Sequence, residues 1–291
     1  MINIDFNKCT HCQKCVDVCP ARIFSYQTSE EKKEELKTIN QHLCILCGHC
    51  VAICPDDAIL HDGLSPELFL PLELPKIAPE SLRNLMLSRR SIRAYEAGLV
   101  PRNLVDQLID VAVHAGTASN RQNVQFTVVQ DKTLLLSLED LVVGILWKQL
   151  KKLGNPLIRR LARLRYSEED LQAYYRYYLS FKRSVESKTF RGTILRGAPA
   201  VIVVHTPGKS TLDAANCALA IANMTMMAQP LELGVCWAGF LVEAAHRSSS
   251  QVNGILQIPK SHHILGALLV GYPKHHYSMI IRRKPPQVEW L

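Results

Sequence analysis

Eight cysteines fall in two runs of one pattern, and no other feature of this 291-residue chain restricts its fold as strongly. "CTHCQKCVDVCP" places Cys9, Cys12, Cys15 and Cys19 ahead of Pro20, and "CILCGHCVAICP" places Cys44, Cys47, Cys50 and Cys54 ahead of Pro55. Each position of the second run lies 35 residues after its counterpart in the first. The N-terminal "MINIDFNKC" has no basic stretch leading into an apolar run, so no secretory signal is expected. No apolar run of about 18 residues suggests a membrane span. A cytoplasmic setting follows as an expectation, and there thiols stay reduced, so ten cysteines point to metal rather than to disulfides.

Three closely spaced thiols let one tight loop wrap three iron corners of a cubane, while the fourth thiolate comes from elsewhere in the chain. Structural zinc, the competing reading, usually takes its four ligands as two separated pairs. Two triplets, each followed by a Cys-Pro, resemble the bacterial two-cluster ferredoxins over residues 1–63. The resemblance implies two [4Fe-4S] clusters with crossed ligation: Cys9, Cys12, Cys15 and Cys54 on one, and Cys44, Cys47, Cys50 and Cys19 on the other. The crossing would knit together a domain too small to build a sufficient apolar core by itself. The polar segment between the runs, "SYQTSEEKKEELKTIN", reads as a surface excursion.

Residues 64–80, with Pro66, Pro71, Pro75 and Pro79, read as a semi-rigid connector whose leucines and Phe69 lie against a surface. Beyond it, helical and strand patterns alternate. "SLRNLML" and "RNLVDQLIDVAVHAG" have helical spacing, the second stopping at Gly116; "QFTVVQD", "PAVIVVHTP" and "HHILGALLVGYP" read as strands; "STLDAANCALAIANMTMMAQ" is a buried helix. The expected class is α+β, with residues 81–291 as one domain: a mixed central sheet flanked by helices.

Four patches in this domain carry chemistry. "SRRSIRAY" crowds Arg89, Arg90, Ser91 and Arg93, and guanidinium groups suit phosphate. "GTASNRQNVQF" sets Asn120 and Gln122 two apart, amides able to match a planar heterocycle. "ELGVCWAGF" offers small residues for close backbone approach. "IIRRKPPQVEWL" brings Arg282, Arg283 and Lys284 near the C-terminus. In this order and at these separations the patches resemble the FMN-dependent nitroreductase family. The resemblance implies FMN bound by Arg89, Arg90, Ser91, Arg93, Thr117, Ser119, Asn120, Gln122, Trp237, Ala238, Gly239, Arg283 and Lys284, in a homodimer with the flavin between subunits. The sequence departs from the family's pattern at Gly116-Thr117, at Asn123-Val124 and at Glu232-Leu233-Gly234 after Pro230. No catalytic acid or base stands out; His205, His262 and His263 qualify by residue type alone. Cys217 and Cys236 read as small buried hydrophobes.

The charge is uneven. Residues 144–196 hold 13 Lys and Arg against 4 Asp and Glu, a net of +9 in a chain of +8. Here, at about 144–192, the family resemblance lapses into an insert. Leu146, Trp147, Leu150, Leu153, Leu157, Ile158, Leu161 and Leu164 follow helical spacing, and a second helix is expected to start at Ser167. The insert reads as a solvated basic face, as a lid over the flavin aided by Tyr174, Tyr175, Tyr177 and Tyr178, or as a docking face for an anionic membrane or an acidic donor protein. A lid whose outer face steers an acidic donor is the favoured functional reading. The expected function is an FMN oxidoreductase that relays electrons from a one-electron donor, such as a reduced ferredoxin or flavodoxin, to an electron-poor small molecule: a nitroaromatic, a quinone or an activated alkene. The alternative is a carrier that passes electrons to another protein. Nucleic acid is not an expected partner.

Overall fold

The computed structural model describes residues 1–28, 34–164, 166–187, 190 and 192–291. It separates into two compact units, Met1–Lys76 with Ser119–Arg121, and Ile77–Ala118 with Gln122–Leu291.

The first unit shows the internal repeat in its backbone. Strand β1 (Ile2–Ile4) leads to helix α1 (Lys14–Val18), then to β2 (Phe24–Thr28) and β3 (Glu34–Thr38); helix α2 (His49–Ala52) and β4 (Ile59–His61) follow. Strands β1 and β4 pair antiparallel, as do β2 and β3. Left-handed backbone recurs at matching positions 35 residues apart: His11 and Leu46, Gln13 and Gly48, Arg22 and Asp57. A non-glycine residue there is strained by about 1–2 kcal/mol, yet the tight wrap of each cysteine loop requires it. The segment read as a surface excursion instead forms the β2–β3 hairpin, pairing Phe24 with Thr38; its residues 29–33 lie outside the described set. Phe24 and Leu36 are buried there with Ile2, Ile23 and Ile59. In the expected connector, Leu70, Leu72 and Leu74 are exposed rather than laid against a surface. Its last residues, Pro79 and Glu80, already begin helix α3 (Pro79–Ser88).

In the second unit, α4 (Arg102–Val113), β5 (Gln125–Val129), α5 (Lys132–Leu150), α6 (Pro156–Ala162) and α7 (Glu168–Glu186) precede β6 (Ala200–Thr206). Helix α8 (Thr211–Ala228), β7 (Gly234–Trp237), α9 (Gly239–Arg247), α10 (Ser249–Ile255) and β8 (His263–Gly271) complete it. The sheet order is β5-β6-β8-β7, and every pairing among the described strands is antiparallel, so the sheet is antiparallel rather than mixed. Side chains alternate across a strand. Ala200, Ile202 and Val204 accordingly pack with α4 and α8, while Val201 and Val203 pack with α5, α9 and α10. Helices on both faces bury β6 completely, which explains its continuous apolar run.

Helix α5 runs through position 144 without a break, and α6 and α7 complete the excursion. Ser167 caps α7, its side chain accepting from the Asp170 amide. One buried carboxylate closes the base of the excursion. Glu139 on α5 accepts from the amides of Gly192 (2.7 Å), Ile194 (2.8 Å) and Leu195 (3.0 Å). Hydrogen bonds to a charged group contribute about 1.5–3 kcal/mol each. Glu139→Ala is therefore expected to destabilise the second unit by about 3 kcal/mol or more, and limited proteolysis should cut first between α5 and β6. Unchanged denaturant midpoints and cleavage patterns would refute this role.

Candidate functional site

Each cysteine triplet shares a cavity with the fourth cysteine of the other run. Cys9, Cys12, Cys15 and Cys54 line one cavity, and Cys44, Cys47, Cys50 and Cys19 line the other. Helices α1 and α2 each start from a left-handed residue, Gln13 or Gly48, and each buries the third cysteine of its triplet, Cys15 or Cys50. Amides reinforce the crossing: Ile23 donates to the Cys19 sulfur (3.4 Å) and Ala58 to the Cys54 sulfur (3.3 Å). Among the described residues no three His, Cys, Asp or Glu side chains converge as a single-ion site. Four thiols spread around one cavity instead suit a group that offers one iron per corner, so the donor set fits a [4Fe-4S] cluster. Burial pushes the Cys50 thiol up to about 11 and raises that of Cys15; bound metal would supply the positive charge that holds both as thiolates.

In the second unit, the first patch is divided among neighbouring cavities. Residues 89–93 run extended beside β7, where the Ile92 amide donates to the Val235 carbonyl at 2.9 Å. This approach is close enough that a Cβ at Gly234 would meet Ile92 at 2.7 Å. Arg89 and Ser91 line a cavity of ≈ 310 Å³ with Trp237. Ser91 and Arg93 line an adjoining chamber of ≈ 710 Å³ with Trp237, Ala238 and Gly239. Arg90 points the other way. Its guanidinium donates to the carbonyl oxygens of Leu87, Arg89 and Met279 (2.8–3.1 Å), while its buried Nε has no hydrogen-bond partner among the described residues. Tyr95 donates to the Ile92 carbonyl at 2.8 Å and holds the segment's far end. Gly239 and Phe240 open α9, and the first amides of a helix have no intrahelical partner. This part of the chamber thus presents cations, backbone donors and a ring.

The remaining expected ligands lie elsewhere. Thr117 accepts from the Gln122 amide (3.0 Å), and the Asn120 side chain donates to the carbonyls of Ile45 (3.1 Å) and Leu46 (2.8 Å), within the first unit as divided above. None of Thr117, Ser119, Asn120 or Gln122 lines either cavity. The loop is strained, with Ser119, Asn120 and Gln122 all at positive φ, and is fastened to α8 by Asn216, which accepts from the Ala118 amide. Arg283 and Lys284 lie in the exposed C-terminal tail. The cysteines outside the runs are both buried, and burial pushes Cys217 up to about 12.

The insert supplies residues that the sequence signalled only by periodicity. Leu150, Leu153, Ile158, Tyr174 and Tyr177 line the chamber, together with Lys152 and Arg196. Among the described residues the only carboxylate lining it, Glu243, is paired with Arg247. The four tyrosines divide by helical phase. Tyr177 meets Phe240 edge-on at 5.4 Å, whereas Tyr178 stacks on Trp147 at 6.1 Å and Tyr175 carries the Arg159 guanidinium at 4.7 Å. Leu157, Leu161 and Leu164 are exposed, so the outer face is mixed apolar and basic rather than simply basic.

His205 and His262 prove to be a buried pair, with Nδ1 atoms 2.9 Å apart and Thr127 3.0 Å from His205 Nε2. Neither lines the chamber, so neither serves there as acid or base. Burial, with His262 adding to it, pushes His205 down to about 4. The folded state therefore resists a proton that the unfolded chain takes up at about 6.5. Folding stability should fall as pH drops from about 6.5 toward 4 and level off above that window. His205→Gln should flatten the slope in fluorescence-monitored denaturation; an unaltered slope would remove His205 as its source.

Among curated proteins, residues near the N-terminus are similar to NADH-quinone oxidoreductase subunit I 2 of Geobacter metallireducens, 37% identical over 60 residues, 19% of this chain and 46% of that protein. The chain thus spans under half the length of that relative. A ferredoxin of Methanothermococcus thermolithotrophicus is 33% identical over 60 residues, 20% of this chain and 92% of the ferredoxin. Among solved structures, a nitroreductase with bound FMN from Desulfitobacterium hafniense shares the fold at a TM-score of 0.50 and 19% identity, covering 72% of this chain and 93% of that one. The 4Fe-4S dicluster domain matches residues 1–59. The nitroreductase family matches residues 86–272, which is most of the chain, and the protein belongs to that family, with a ferredoxin-type dicluster domain at its N-terminus.

Proposed function

We propose that the protein is a cytoplasmic FMN-dependent oxidoreductase that draws single electrons through two [4Fe-4S] clusters and reduces an electron-poor small molecule by two electrons. The observation that carries this reading is the pair of crossed cysteine cavities in a chain whose family domain holds a cationic, aromatic-walled chamber. Clusters transfer one electron at a time, whereas bound flavin accepts one or two and can release them as a hydride.

The chain's own residues divide the remaining tasks. Arg89 and Ser91 line one cavity, Ser91 and Arg93 the adjoining chamber, and together they suit a phosphate. Trp237 and the amides of Gly239 and Phe240 suit the edge of a planar ring system. Leu153, Ile158, Tyr174 and Tyr177 give the chamber an apolar and aromatic wall. Lys152 and Arg196 favour an acceptor that joins an aromatic body to an anionic group. A chamber of ≈ 710 Å³ has room for such an acceptor, which favours small-molecule chemistry over a pure carrier.

The relay is tested with a Cys12→Ser, Cys47→Ser double variant. The native protein should contain about eight iron and eight labile sulfide per chain. The variant should keep FMN and accept electrons from dithionite, yet lose turnover with reduced ferredoxin as donor. Equal turnover of the two proteins with that donor would overturn the relay. Reoxidation of the reduced native protein by redox proteins alone, with nitroaromatics and quinones inert, would establish the carrier.

The FMN site is tested by contrasting neighbouring arginines. Arg89→Ala should weaken FMN binding by roughly ten- to a hundred-fold, the equivalent of one lost charge-assisted hydrogen bond. Arg90→Ala, which removes contacts to carbonyl oxygens, should lower thermal stability more than FMN affinity. The reverse ranking would refute the assignment of these roles.

A further inference from the structure

The two repeats of the N-terminal unit agree in their thiols, in their left-handed turns and in the Ile23 and Ala58 amides that reach Cys19 and Cys54. They differ at the end of the strand that follows each Cys-Pro. His61 closes β4, and its counterpart 35 residues earlier is Tyr26 on β2. The Tyr26 hydroxyl donates to a backbone atom of the first loop, the His11 carbonyl, at 3.2 Å. The imidazole of His61 instead reaches a ligand sulfur: Nε2 lies 3.3 Å from the Cys44 Sγ.

The ring's other nitrogen fixes which atom carries the proton. The Gly63 amide donates to Nδ1 at 3.1 Å. A ring nitrogen that accepts from an amide bears no hydrogen, so the neutral imidazole carries its proton on Nε2, facing the sulfur. Both nitrogens are thereby used, and the contact is an N–H donated to a cluster thiolate. Such a donor stabilises the more negative, reduced state of a cluster more than the oxidised one, and hydrogen bonds to sulfur are among the determinants of cluster potential.

We infer that His61 is a positioning and tuning residue that raises the reduction potential of the cluster held by Cys19, Cys44, Cys47 and Cys50 above that of its twin, by hydrogen bonding to the Cys44 sulfur. Two clusters built from one repeated sequence are thereby made unequal. An arriving electron settles first on the second cluster, giving the relay a resting point. The inference rests on the cluster reading above.

The test replaces His61 three ways: His61→Tyr, which imports the residue found at the equivalent position of the first repeat; His61→Leu, which removes the donor; and His61→Gln, which retains an N–H. Iron and sulfide are assayed first, then both cluster potentials are measured by anaerobic redox titration followed by electron paramagnetic resonance. With Tyr or Leu, the higher-potential cluster should bind its electron roughly tenfold less tightly, a fall of about 59 mV for a one-electron couple, while the other potential stays in place. Gln should restore part of the difference. Unmoved potentials in variants that retain their iron would overturn the inference, as would an equal fall in both. Loss of the second cluster from every variant would assign His61 a structural role and overturn it as well. Native protein without iron and sulfide would instead refute the cluster reading.

Discussion

The N-terminal unit depends on one exchange: Cys19 turns into the cavity of the second triplet and Cys54 into that of the first. Apart from these ligands, little holds the unit together. Its buried core is Ile2, Ile23, Phe24, Leu36 and Ile59, with Cys15 and Cys50 among them. A core of that size stabilises a chain of this length only marginally, and a site that does not exist in the unfolded chain converts metal-binding energy into folding energy. The left-handed residues at 11, 13 and 22, and again at 46, 48 and 57, follow from this dependence. All but Gly48 cost backbone strain that the apolar contacts would not offset, and they sit where ligation would dictate the path of the loop.

The second unit solves a different problem, because it has a sheet to bury. Covering both faces of β6 leaves β7 as an edge beside β8, and that edge is where the arginine segment lies. The glycine at 234 matters because it lets the Ile92 backbone approach within hydrogen-bonding distance of Val235. Beside that contact, Ser91 and Arg93 line the chamber with Trp237, while Arg89 borders both the cavity of Ser91 and the one lined by Arg90 and Ile92. Site and fold are therefore linked through a single backbone approach.

The parts legible in the sequence were those with strong local rules. The likeness of the cysteine runs to two-cluster ferredoxins implied the quartets that share each cavity, apolar runs marked β6 and β8, and the Ser167 signal marked the start of α7. The hairpin of β2 and β3 was hidden because its strands are polar and charged, and among the residues whose burial is described only Phe24 and Leu36 are buried. Composition could not show which of four adjacent cationic or polar residues face a cavity, since that depends on a partner strand 140 or so residues away in the chain. The same limit concealed the role of Glu139. A carboxylate next to Asp140 in a mostly apolar helix gives no sign that it will receive three amides from residues 192–195.

That carboxylate also explains how the insert can be tolerated. A long excursion between α5 and β6 lengthens a loop, and closing a loop costs entropy that grows only slowly with length. The larger hazard is a return path whose backbone amides are buried without partners. Glu139 satisfies three of them at the point where the chain re-enters the core beside Ile194 and Leu195, both buried. With its base fixed in this way, α6 and α7 need only present Ile158, Tyr174 and Tyr177 toward the chamber and can vary on their outer surface without disturbing the sheet.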